Sequence, residues 1–240
     1  EIALKHCGYR LLVSFVQNDV NTELDSLELM SASQVDGMII FPEDRANSEY
    51  ILRLSSKIQI SQLFNAPYPE IDSVVMDDVG GTASGTRYLI NRGHRRILYL
   101  GGPERLSGFT KVLNEYGIPE TEVCIMADCQ NSRQVVTAIQ QFRPTAVFAI
   151  ACTSEYAWNA IRSLNLSIPQ DISLIVYDDT KWVSMLGVTA IAHNLEAIAN
   201  TLVNQLIFRL RTKDSPPKEI MHIVLDPFIR ERESVKWLAP

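Results

Sequence analysis

The feature that most constrains this chain is a rhythm. Short runs that are apolar at every position alternate with longer amphipathic stretches. Leu11-Leu12-Val13-Ser14-Phe15-Val16 reads as a buried strand, and Leu24, Leu27 and Met30 then fall at helical spacing. Val35-Asp36-Gly37-Met38-Ile39-Ile40-Phe41 reads as a second strand, stopped by Pro42. A helix around Ile51–Leu54, a strand over 58–63 and a short strand at Ser73–Met76 follow. The spacing predicts a helix over 78–92 ended by Gly93, a strand at Arg96–Leu100 and a helix over 105–116 ended by Gly117. Further strands are predicted at 122–126, 145–150, 172–177 and 219–225, with helices over 132–142, 154–164 and 195–211 and a polar loop at 212–217. Strands without a polar face are covered on both sides, and helices between them make the pairing parallel. Two such series in 240 residues predict an α/β fold of two lobes, each a doubly wound parallel sheet. Ligands of such sheets bind beyond the carboxyl ends of the strands.

Composition narrows the function classes. The chain carries a net charge of −6, which argues against its holding nucleic acid by itself, because the phosphate backbone demands a cationic face. No apolar run approaches the ~18 residues of a membrane span. Cys7, Cys124, Cys129 and Cys152 form no C-x-x-C pair, and His6, His94, His193 and His222 are scattered. These are read as thiols in a reducing compartment rather than a disulfide or zinc framework. The first residues lack the basic and apolar regions of a secretory signal, so a cytoplasmic protein is expected. Glu1–Gly8 reads as the end of a helix closed by Gly8, and a strand and a further domain are expected upstream.

The chemistry-bearing residues collect at strand ends. Asp77-Asp78 and Asp178-Asp179 each follow a strand. A carboxylate there accepts two sugar hydroxyls, or else caps the next helix. Paired carboxylates also serve glycoside hydrolysis, but no further catalytic feature accompanies them. Arg105 opens a helix, where its charge opposes the helix dipole; it either serves a ligand or is solvated. Gly80-Gly81-x-x-x-Gly85 is neither a dinucleotide fingerprint nor a P-loop, and close helix–strand packing is the expected reason for it. No serine lies in a G-x-S-x-G turn.

Several stretches together resemble one family. Val35–Ile40 looks like its "VDGIIL" strand, Gly93-His94-Arg95-Arg96-Ile97-Leu98-Tyr99-Leu100-Gly101-Gly102 its "GHRRIAYIGG", and Arg105-Leu106-Ser107-Gly108-Phe109 its "RLxGF". Ile168–Asp179 is similar to "VPEDVSVVGFDD", and Arg230–Ser234 to a closing "RxS". The chain resembles the effector-binding domain of LacI/GalR transcriptional regulators over nearly its whole length.

The resemblance implies two lobes joined by three crossovers, with a cleft between them for a small polar effector, a sugar or sugar derivative. It places the N-terminal lobe at 1–102 plus 193–223 and the C-terminal lobe at 103–192 plus 224–240. It further implies a homodimer, and operator DNA held by an N-terminal helix-turn-helix domain that this chain does not contain. The candidate effector-binding residues are Asp78, Arg105, Thr153, Asp178, His193 and Phe41; no catalytic residue, metal or cofactor is expected, nor a membrane partner.

Departures from the family pattern also stand out. Thr153 occupies the place of an effector-binding Asn, "GFDD" reads Val176-Tyr177-Asp178-Asp179, and the segment before Arg105 is short. The alternative with the same fold is an extracytoplasmic sugar-binding protein of an uptake system, distinguished by a signal peptide in place of a helix-turn-helix head.

Overall fold

The computed structural model describes residues 1–16, 19–42, 44–212 and 219–238. In chain order the elements are α1 (Ile2–His6), α2 (Val20–Ala32), β1 (Gly37–Ile40), α3 (Ser48–Ser55), β2 (Gln59–Phe64), β3 (Asp72–Met76), α4 (Asp78–Asn91) and β4 (Ile97–Leu100). There follow α5 (Pro103–Glu115), β5 (Val123–Met126), α6 (Ser132–Phe142), β6 (Ala146–Ala149), α7 (Ala151–Ser163), β7 (Ser173–Tyr177) and α8 (Lys181–Met185). The chain closes with β8 (Thr189–Ala192), α9 (Leu195–Arg211), β9 (His222–Leu225) and β10 (Phe228–Arg230). Of the polar loop expected at 212–217, residues 213–217 lie outside the described residues.

The chain divides into two compact units, Glu1–Met76 with Asn194–Leu225, and Asp77–His193 with Asp226–Pro240. The first unit carries an all-parallel sheet in the order β1-β2-β3-β9. The second carries β10-β8-β7-β6-β4-β5, parallel except for β10 against β8. Each unit is thus α/β and built on parallel strands, as the rhythm of the sequence predicts.

The second sheet shows why its central strands are so largely apolar. Ile97, Tyr99, Phe148, Ile175 and Tyr177 enter one core cluster with α4 and α5. Their neighbours Leu98, Leu100, Val147, Leu174 and Val176 enter another with α6 and α7. Alternate residues of a strand point to opposite faces, so a sheet covered on both faces favours apolar side chains on each, and its buried polar ones, Ser173 and Thr189, are hydrogen-bonded. Each such aliphatic side chain contributes about 1.5–3 kcal/mol by leaving water.

The first crossing between units falls at Met76–Asp77, not at 102–103 as the resemblance placed it. β4 pairs with β5 on one side and β6 on the other, in the interior of the second sheet. Gly101-Gly102 is therefore a turn within the second unit, leading from β4 into α5, and α4 belongs to that unit as well. The remaining crossings lie at His193–Asn194 and Leu225–Asp226.

Leu11–Val16, expected as a buried strand, forms none. No described strand pairs with it, and Phe15 is 83% exposed. A strand is stable only when its backbone groups are paired, and β1, the edge strand of the first sheet, pairs with β2 alone among the described strands. Leu11, Val13, Met38, Leu202 and Leu206 all face a cavity of about 2130 Å3 within this unit. Sequence reading also passed over β8 and β10, which close the second sheet; Thr189-Ala190-Ile191-Ala192 is short and built of small residues.

Candidate functional site

The carboxyl ends of β4, β7 and β8 and the first turns of α4 and α5 meet within the second unit. Asp77 is the N-cap of α4, its Oδ1 accepting from Gly80 N at 2.8 Å. The capping reading is therefore correct for Asp77, and it leaves Asp78, the next residue, available for other work. Asp78 Oδ2 lies 2.9 Å from Arg105 Nη2. Tyr177, the last residue of β7, donates its hydroxyl to Asp78 Oδ1 at 2.8 Å. The Arg105 guanidinium sits 4.4 Å from the centre of the Tyr177 ring, a cation–π contact.

Asp178 follows directly, in the left-handed region at φ +79°. Asp and Asn tolerate that conformation better than most residues. Its amide donates to Ile191 O at 3.0 Å, which fixes the turn against β8. Its Oδ1 lies 3.2 Å from Nε2 of His193, the residue that follows β8. The Tyr177 and His193 rings are 5.7 Å apart. Asp78, Arg105, Tyr177, Asp178 and His193 thus form one connected group.

Helix packing brings it together. A Cβ at Gly108 would stand 2.2 Å from Val79 O, and one at Gly81 would meet Pro227 Cγ at 2.5 Å and the Tyr177 hydroxyl at 2.6 Å. At Gly85 the obstacles are Ile191 and Phe148. The glycines of α4 serve close packing, as expected, and Gly108 adds a backbone-to-backbone approach of α4 and α5 that lets Asp78 reach Arg105.

The electrostatics follow from this packing. Burial alone would lower the Arg105 pKa, but the charges of Asp78 and Asp178 outweigh it and hold the guanidinium above its usual value. Burial pushes the Tyr177 hydroxyl far up, and the neighbouring Asp78 charge and its hydrogen bond push it further. Tyr177 is thus a permanent donor. Arg105 Nε and His193 Nδ1 are buried without a hydrogen-bond partner among the described residues.

Two predicted residues stand apart from the group. Thr153 is buried, and its hydroxyl donates to Leu100 O at 2.8 Å and Ile150 O at 3.1 Å. Its side chain ties the start of α7 to β4. Phe41 belongs to the first unit, where it is exposed and packs edge-to-face on Phe64 at 5.5 Å. Asp179 has a structural partner set, with Arg232 Nη2 at 2.8 Å and Arg230 Nη1 at 3.2 Å from its Oδ2. Sequence reading missed Tyr177 as a site residue. The signal was its hydroxyl, standing where the family pattern has Phe.

Comparison with known proteins bears on the family and the fold. A family model for the periplasmic binding protein-like domain matches residues 86–235. The arabinose metabolism transcriptional repressor of Geobacillus stearothermophilus is 29% identical over a 262-residue alignment, covering 98% of this chain and 71% of the repressor. The HTH-type transcriptional repressor PurR of Escherichia coli O1:K1 is likewise 29% identical, covering 98% of this chain and 74% of its own. A LacI family transcriptional regulator from Enterococcus faecium, solved with bound ribose, aligns at a TM-score of 0.84 and 20% identity over 99% of this chain and 91% of that one. That likeness is one of fold. The family match spans well over half of the residues, and the chain belongs to the periplasmic binding protein-like domain family.

Proposed function

We infer that this chain is the effector-sensing domain of a LacI/GalR-type transcriptional repressor, and that its effector is a small sugar bound by the polar group of the second unit. The observation that carries this reading is the convergence of Asp78, Arg105, Tyr177, Asp178 and His193 at the carboxyl ends of parallel strands, the place where such sheets bind ligands. Carboxylates, a guanidinium and an imidazole together offer both acceptors and donors, which is what a hydroxyl needs. Related chains that are transcriptional repressors, and a fold neighbour holding ribose, support the sensor over a transport protein.

The role is one of binding rather than catalysis. An effector shifts the chain between states by no more than its difference in affinity for them. Operator DNA would be read by a helix-turn-helix domain, by a dimer, in the cytoplasm. A thermal-shift screen of neutral mono- and disaccharides tests the reading, because a ligand of the native state raises Tm by mass action. A rise with one sugar, abolished in Arg105→Ala, is expected. A flat response across the panel, or a rise untouched by Arg105→Ala, would overturn it.

A further inference from the structure

Arg105 looks at first like an anion receptor, since a guanidinium matches a phosphate or carboxylate in shape. The structure gives its charge to Asp78 at 2.9 Å. Asp178 also contributes to the field that holds the guanidinium. The group thus sets two carboxylates against a single guanidinium, which is already paired.

The neighbouring helix N-termini, which otherwise bind anions through free amides, both carry an acidic side chain in the first turn. α4 has Asp77 as its N-cap, with Gly80 N spent on it, and Asp78 in its first turn. α5 opens on Pro103, which has no amide hydrogen, and places Glu104 in its first turn. The groups left without a partner are Arg105 Nε, a donor, and His193 Nδ1, the second ring nitrogen of a side chain only 10% exposed. A hydroxyl both gives and accepts a hydrogen bond and suits either. A phosphate dianion only accepts, and would face two carboxylates.

Resting on the reading of this group as the sugar site, we propose that it selects uncharged polyhydroxylated ligands and rejects their phosphate esters and acids. Opposition from one carboxylate a few ångströms away in a half-buried site weakens binding by about 100-fold.

The test is calorimetric titration of the whole chain with ribose, arabinose and glucose, each beside its phosphate ester and its aldonate. The expected result is binding of a parent sugar, with its ester and acid at least about 100-fold weaker. Asp78→Asn, which releases the Arg105 charge, is expected to narrow that gap at least about tenfold. Esters or acids binding as tightly as the parent would overturn the proposal and leave the sugar site standing. Absence of binding by every parent, ester and acid would sink the sugar site itself, and the proposal with it.

Discussion

Arg209 holds Asp72 by two parallel hydrogen bonds, Nε to Oδ2 at 2.6 Å and Nη2 to Oδ1 at 2.8 Å, joining α9 to the start of β3 in the first unit. Both side chains are buried, and Asp72 Oδ1 also accepts from Met221 N at 2.8 Å. Removing one partner of such a pair strands the other charge. Arg209→Met is expected to destabilise the chain by about 3–5 kcal/mol, read as a lowered urea midpoint. Adding Asp72→Asn, which removes the stranded charge, should recover part of that loss.

The two carboxylates of the Asp178-Asp179 pair should behave differently. Arg105→Ala or Asp178→Asn should weaken sugar binding by about 1–3 kcal/mol, the cost of leaving a charged group unpaired. Asn is chosen at 178 because it tolerates the left-handed backbone there. Asp179→Asn, by contrast, should lower the melting temperature through Arg230 and Arg232 and leave affinity nearly unchanged. Titration and melting of the three variants check this division.

His94 predicts an acid sensitivity. It is fully buried, with Nε2 donating to Lys236 O at 3.1 Å and Nδ1 3.0 Å from Thr145 Oγ1. Burial lowers its pKa to about 4, against about 6.5 in an unfolded chain. The unfolded state therefore takes up the proton first. This contribution to stability is full above about pH 6.5 and is lost as the pH falls toward about 4. Denaturation series across that window should show a steeper decline for the native chain than for His94→Gln.

Gly108→Ala should cost about 2–3 kcal/mol, because the added methyl meets the carbonyl of Val79 rather than a side chain that can turn aside. Sugar affinity should fall with it, since α5 must withdraw and carry Arg105 from Asp78. Calorimetric melting and titration of the variant measure both effects.

Hydrogen exchange should separate two stretches that look alike in sequence. The amides of Leu11–Val16 donate no backbone hydrogen bond among the described residues, whereas β7 is paired with both β6 and β8. Exchange of the first is expected near the rate of an unstructured peptide, and that of β7 at the rate of global opening.

These two stretches also mark what could be read in advance. Periodicity reports what a residue would do if buried, so it located β7 and α9 well: both have neighbours to pack against. It promised the same for Leu11–Val16, but a strand is a relation between two segments, and no described segment pairs with this one. The Met76–Asp77 crossing was missed for a similar reason, since a glycine turn reads the same whether the chain changes units or enters the next helix. Asp78 and Asp178 stood out at strand ends and Arg105 at a helix start, whereas His193 was named only through the family resemblance. Tyr177 reads as core from its place in an apolar run, and the salt link across 137 positions from Asp72 to Arg209 has no local signature at all.

The contact of α4 with α5 finally sets the terms on which this chain can change. Position 108 is closed to anything larger than hydrogen by the carbonyl of Val79, positions 81 and 85 admit a methyl only where Pro227, Tyr177, Ile191 or Phe148 gives way, and position 178 is restricted by its backbone angle to a small vocabulary. Positions 105 and 193 carry neither constraint. A lineage acquiring a new effector, or a library built to give it one, has its freedom there: the glycines act as fixed grammar, and Arg105 and His193 are the words that can be exchanged.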